Sequence, residues 1–451
     1  MTSPAEGRAA PRPHLSTLDA VMIIVGIVIG GGIFALPPAI AGLAGSPGWM
    51  WAAWVGGAAL TLAGALCYAE MAAAFPHAGG DYHFLTRAYG RDVSFFFGWA
   101  RVSVILTGSI AMLAFVCGDY LARIAGLGAH SSAVYAALVI VALTLVNALG
   151  LRQSARMQNL LTAVEVAGVL LVIVAGFMIG GPAPSAAPAA AADGGMPAMF
   201  GLALVFVLFT FGGWNEAAYI SAEVRGGQRA ILRVLVISIG VLALVYGLFV
   251  LALVNGLGFE GLKASKAVGA DVLRAALGPA GEALIAALVA IAALTSINAT
   301  MIVGARSNYA LGQDWPLLSF MSRWHGRRNA PIVALLVQSG IALLLVALAA
   351  VEQGGVKTMV EFTAPVFWGF LVLVGIGLFV LRARYAHVDR PFRVPLYPFL
   401  PLAFIATCGY LFYSSVAYAQ SQGAVRVSFY VMGAGLVAWL VARLRARRAA
   451  V

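Results

Sequence analysis

Charge is what this chain has least of. Lys, Arg, Asp and Glu make up 10% of its 451 residues, where soluble globular domains carry roughly 25%. The length would allow two or three soluble domains, but the polar surface to cover them is missing. Cysteine is equally scarce. Cys67, Cys117 and Cys408 each sit inside an apolar run, without a partner at metal-ligand spacing. That excludes a disulfide framework and structural zinc, and the three read as small buried hydrophobes. Enzyme signatures are missing too. None of the six histidines (His14, His77, His83, His130, His325, His387) belongs to H-E-x-x-H, and the apolar runs carry no G-x-S-x-G. Gly79-Gly80-Asp81 has no second intramembrane aspartate to complete a proteolytic pair. An enzyme is not expected, nor a cofactor. No polar stripes run along several helices, and no stretch of this sequence is long enough for a soluble output domain, so a continuous pore and a receptor-like sensor are not expected.

What the chain has instead is apolar length. Hydrophobic residues make up 62%. A helix needs roughly 20 of them to cross a bilayer, and twelve stretches qualify. They run approximately Ala20–Gly42, Trp49–Ala74, Ser94–Leu121, Ser131–Leu149, Gln158–Gly180, Met199–Glu223, Leu232–Val254, Gly281–Ala305, Pro331–Ala350, Thr358–Leu381, Leu396–Ala417 and Arg426–Ala442. They are too long for barrel strands and lack the alternation of one. The expectation is therefore an all-α integral membrane protein with twelve transmembrane helices.

The net charge of +11 falls mainly between these runs. This speaks for membrane topology rather than nucleic-acid binding. With the amino terminus in the cytoplasm, 21 of the 28 lysines and arginines lie on that side, 6 lie on the other, and Arg101 lies within span 3. Both termini are expected inside, and the span count is expected to be even. No small-residue cleavage site follows the first run, which reads as a retained span. A bacterial plasma membrane is the expected location. The chain divides into a tail (1–19), five helices (20–180), an external Ala/Pro-rich linker (181–198), five more helices (199–381), a loop with helices 11 and 12 (382–442) and a basic tail (443–451).

Two spans carry glycine at their middle. Span 1 reads VGIVIGGGIFALPP, with Gly30, Gly31 and Gly32 at its centre; span 6 reads FVLFTFGGWNEAAY, with Gly212 and Gly213 followed by Asn215 and Glu216. Glycine costs roughly 1 kcal/mol per residue in a helix interior. An unwound backbone at membrane depth must line a cavity or a ligand. A break exposes N–H groups that attract a carboxylate and carbonyls that attract an ammonium. An α-amino acid carries both charges on neighbouring atoms. Breaks five spans apart are the mark of an inverted five-plus-five repeat.

Five motifs in collinear order then make the chain resemble the amino acid–polyamine–organocation (APC) permeases, particularly bacterial relatives of the L-type amino acid transporters. They are GGGIF at Gly30–Phe34, the YAEM segment from Tyr68 to Leu85, FTFGGWNEAAY at Phe209–Tyr219, RSNYALGQDWP at Arg306–Pro316 and RPFRVPLYP at Arg390–Pro398. The resemblance implies a LeuT-type fold with alternating access. In it the N–H groups of Gly30, Gly31 and Gly32 take the substrate carboxylate. Carbonyls of Val28, Phe209 and Gly212 take its ammonium. Phe209 covers the site, and Asn215 touches substrate or holds the break open. Gly31 replaces a frequent serine. Glu165 stands where some relatives place a lysine, which puts lysine-type coupling in doubt.

Intramembrane charge costs about 2.5–3.5 kcal/mol or more and needs a reason. Glu165 is either the proton-coupling site or half of a structural ion pair, with Arg101 as one candidate partner. Glu216 either faces the substrate, which would favour cationic amino acids or polyamines, or caps the half-helix that follows it. Thr295, Ser296, Asn298 and Thr300 offer oxygens for sodium, but such hydroxyls more often bond their own backbone. The expected partners are thus an amino acid substrate (neutral in preference to cationic), protons in preference to sodium, and the bilayer. No cysteine is placed for an external disulfide, which argues against a covalently linked heavy subunit.

Overall fold

In a computed structural model the chain is described over residues 13–448, apart from 129, 180–198, 228, 266, 353–354 and 422–424. The expected external linker falls on residues outside this set, as do the outer parts of both tails. The described residues are helix and loop, with two isolated bridge pairs, Leu15–Val224 and His325–Ala330.

The first eleven elements lead through the six amino-terminal spans. They are α1 (Thr17–Val28), α2 (Gly31–Ala35), α3 (Pro37–Ala44), α4 (Pro47–Ala74), α5 (Asp81–Tyr89), α6 (Arg91–Ala100), α7 (Leu106–Ile124), α8 (Ser131–Ala148), α9 (Leu151–Met178), α10 (Phe200–Thr210) and α11 (Ala217–Ile220). A π-helical turn, Arg101–Ile105, joins α6 to α7, and a 3₁₀ turn, Trp214–Glu216, precedes α11. Then follow α12 (Ala230–Ala264), α13 (Val268–Leu277), α14 (Ala280–Asp314), α15 (Ile332–Glu352), α16 (Gly355–Arg384), α17 (Phe399–Ser421) and α18 (Val425–Arg448).

Eleven helical stretches among the described residues are long and apolar enough to cross a membrane. The expected twelfth span lies on α18, whose apolar stretch is the shorter Gly433–Leu444. Apolar length explains the helices, because lipid offers the backbone no hydrogen bonds and only intrahelical pairing satisfies it. Local signals set several ends. Ser16 and Asp19 form a reciprocal capping box at the start of α1. Ser46 and Pro47 open α4, and Gly45 at φ 71° closes α3. Between α4 and α6, where the sequence reads as a loop, the chain forms the short helix α5.

The broken helices sit at the centre. α1 packs against α9, α12 and α14, while α10 packs against α3 and α4. Gly26 serves close packing rather than unwinding: a methyl there would collide with Gln158, Thr162 and Thr295. Near the amino terminus the chain before α1 is tied to the segment after α11. The N–H groups of His14 and Leu15 both donate to the Glu223 carbonyl at 2.9 Å. The Glu223 carboxylate is buried in a bidentate pair with Arg306.

Candidate functional site

The two glycine clusters break their helices where the sequence places them. α1 ends at Val28, and the chain passes through Ile29 and Gly30 before α2 starts at Gly31. α10 ends at Thr210, and helix resumes only after Phe211, Gly212 and Gly213. Gly213 adopts φ 109°, a conformation that costs other residues about 1–3 kcal/mol. A Cβ there would lie 2.5 Å from the Ile27 side chain, so the second break rests directly against the first. Across the gap, a Cβ on Gly32 would lie 3.5 Å from the Thr210 backbone.

A cavity of about 450 Å³ opens between the breaks. Val28, Gly30, Gly32, Phe209, Gly212, Asn215 and Glu216 line it. These are the predicted site residues apart from Gly31, which stands between two of them, and Glu165. Much of the remaining wall is apolar, including Ile105, Leu106, Met112, Val289 and Trp368. Phe209 is half exposed, while Asn215 is buried with its amide nitrogen unpartnered among the described residues. Asn215 thus brings an unspent donor to the cavity wall, which burial makes costly unless a partner arrives.

The carbonyls at the breaks are partly occupied. The Val28 carbonyl accepts from the Gly30 N–H and from the Tyr246 hydroxyl, both at 2.8 Å. The same hydroxyl lies 3.3 Å from the Thr210 carbonyl. Tyr246, on α12, therefore ties the two break carbonyls together. The Phe209 carbonyl accepts from the Gly212 N–H at 3.0 Å. The Ser296 hydroxyl donates to the Gly26 carbonyl at 3.1 Å. Thr295 bonds its own helix at Ile291, and Asn298 is held between Asn147 and Gln158. Most of the sodium candidates are thus already engaged with protein.

The ionisable residues sort in an unexpected way. Glu216 neither caps α11 nor stands free; it forms a buried ion pair with Arg101. The structural alternative of an Arg101–Glu165 pair is therefore not what forms. The π-helical turn beginning at Arg101 widens the helix by one residue, a device often found at functional positions. It accompanies a switch in facing: Arg101 meets span 6, while Ile105 and Leu106 line the cavity. The guanidinium also stacks 3.9 Å over the Tyr219 ring. Behind the pair lies Asp81, 1% exposed, at the start of α5. Tyr68 and Tyr219 approach its carboxyl, but neither hydroxyl nor Asp81 Oδ1 closes a well-directed hydrogen bond. Glu165 stands apart on α9. It is 2% exposed, both its carboxyl oxygens lack a partner among the described residues, and its electrostatic neighbour is Tyr246.

Sequence reasoning missed Tyr246 and Asp81. Tyr246 is a lone hydroxyl in an apolar run, and Asp81 lies between two apolar runs, where no local pattern signals burial. The arrangement defines a class: a membrane protein in which two interrupted helices meet at a buried, largely apolar cavity with a neutralised charge at its wall. The chain belongs to the amino acid permease family, whose model matches residues 15–440. It is similar to the mouse b(0,+)-type amino acid transporter 1, with 27% identity over 87% of this chain and 80% of the relative. The mouse Asc-type amino acid transporter 1 is 28% identical over 90% and 77%. The human cystine/glutamate transporter is 25% identical over 97% and 86%. These are transporters, not enzymes.

Proposed function

We propose that the chain is a secondary active transporter that moves neutral α-amino acids by alternating access, with proton-coupled symport or exchange. The observation that carries this reading is the meeting of both helix breaks at one cavity. The substrate carboxylate takes the first-turn N–H groups at Gly31 and Gly32, which have no intrahelical acceptor, and the Asn215 amide. Its ammonium takes carbonyls at Gly212 and Phe209, with Tyr246 yielding at Val28. Phe209 closes over the bound molecule. The printed activities of the relatives support an amino acid as cargo. A neutral side chain fits, because Arg101 balances Glu216 and the walls are mostly apolar.

The architecture proposed is twelve spans, a LeuT-type pair of five-helix repeats at 20–180 and 199–381, and helices 11 and 12 within 382–442. Both termini face the cytoplasm of a bacterial plasma membrane. The ties among His14, Leu15, Glu223 and Arg306, none of which lines the cavity, support a gate on that side. Glu165 is the proposed proton carrier: both its buried carboxyl oxygens lack a hydrogen-bond partner among the described residues. The engagement of Thr295, Ser296 and Asn298 with protein supports protons over sodium. The test is an uptake panel in proteoliposomes with labelled alanine, leucine, phenylalanine, arginine and putrescine. Uptake of a neutral amino acid is the expected result. Uptake of putrescine alone would overturn the reading in favour of a cationic amino acid or polyamine carrier.

A further inference from the structure

Three charged groups are buried together beside the cavity. Arg101 is 1% exposed, Asp81 1% and Glu216 7%. One cation thus faces two carboxyl groups. With both ionised, the cluster has a formal charge of −1 in a medium where uncompensated charge is expensive. One proton on the pair restores neutrality. Glu216 is held by the Arg101 guanidinium, whereas Asp81 has one oxygen unpartnered among the described residues and two tyrosine hydroxyls beside it. The proton therefore belongs on Asp81.

We propose that Asp81 is a proton-binding site that sets the charge of the substrate cavity. With Asp81 protonated, Arg101 answers Glu216 alone and the cavity is neutral. With Asp81 ionised, Arg101 is shared, and Glu216 presents net negative charge to whatever occupies the cavity. The inference rests on the transport reading above and adds a selectivity switch to it: neutral amino acids below the transition, with cationic ones admitted above it.

Burial drives the Asp81 carboxyl up to about 7, with Glu216 adding to the rise; Arg101 and the tyrosine side chains oppose it. The transition therefore falls near neutral pH. Other charged groups on the neighbouring elements are engaged elsewhere. On α4, Glu70 is bound by Arg382 and Arg390. On α5, Arg87 donates to His83, which stacks on His77. Burial lowers both imidazoles, His83 to about 3. On α6, Arg91 stacks over Trp315, and Asp92 accepts from Trp439. On α14, Asp314 accepts from Tyr82, and Arg306 holds Glu223 beyond α11. On α16, Arg384 donates to the carbonyls of Arg87 and Ala88.

The experiment is competition by lysine against uptake of labelled leucine, alanine or phenylalanine at pH 6 and pH 8. Lysine keeps its charge across this range, so a change reports the protein. The expected result is inhibition by lysine about tenfold stronger at pH 8, the scale of one unit charge acting across a partly buried site. Asp81→Asn should hold the weak pH 6 value at both. Tyr219→Phe, which removes a hydroxyl beside the carboxylate, should keep the step and move it to higher pH. A wild type with no step, or a step that survives in Asp81→Asn, overturns the inference while leaving the transport reading intact. Absence of any amino acid uptake overturns the transport reading itself, and this inference with it.

Discussion

Two buried acids close to the broken helices live in opposite circumstances. Glu216 has a guanidinium on its carboxylate and an aromatic ring beneath that guanidinium. Among the described residues Glu165 has no hydrogen-bond partner on either carboxyl oxygen, and Tyr246 lies within electrostatic range. A paired acid holds structure and fixes local charge. An unpaired one is stable in apolar surroundings chiefly as the neutral acid, and so is free to exchange a proton. On the proposed reading the two acids have separate work: Glu216 shapes the cavity, and Glu165 is the proposed carrier of the coupling proton.

The largest effect should come from breaking the paired side. Arg101→Met leaves the Glu216 carboxylate as an uncompensated buried charge, which should cost about 3–5 kcal/mol of stability. Thermal unfolding in detergent would register this, and adding Glu216→Gln should recover part of it. Glu165→Gln provides the sharpest contrast. It should leave the melting temperature unchanged or raised, because no ion pair is lost, yet abolish accumulation driven by a proton gradient. A melting temperature that falls as far as in Arg101→Met would make Glu165 structural.

Tyr246→Phe comes next. It removes one hydroxyl that serves two break carbonyls; Val28 keeps the Gly30 N–H, so the cost is that of a lost hydrogen bond, about 0.5–1.5 kcal/mol. Weaker substrate binding with a modest drop in melting temperature is expected. The smallest effects separate the glycines. Gly213→Ala meets both a positive φ and the Ile27 side chain, and should cost about 1–3 kcal/mol. Gly30→Ala has φ −106° and its nearest neighbour at 3.7 Å. It should fold almost as wild type, so any loss of uptake there would report on backbone access to substrate.

Local sequence carried the long apolar runs and both breaks, because glycine clusters and hydropathy act over a few residues. The glycine breaks brought Gly30, Gly32 and Gly212 to one cavity, while the family resemblance singled out Phe209 and Asn215 on its wall. Local sequence did not carry pairings made across the fold. Arg101 meets Glu216 across 115 positions, and a π-helical turn that no local pattern announced opens at Arg101. Tyr246 lies in an apolar span whose periodicity gives no sign that its hydroxyl bridges the breaks. Asp81 was legible as part of a motif but not as a buried charge, since burial comes from α4, α5, α11 and the span 3 turn closing together.

The most direct test of the account is accumulation of a labelled neutral amino acid into empty proteoliposomes under an inward proton gradient, measured beside exchange into preloaded vesicles. The account predicts accumulation by the wild type, none by Glu165→Gln, and exchange by both. Accumulation by Glu165→Gln equal to wild type would contradict it.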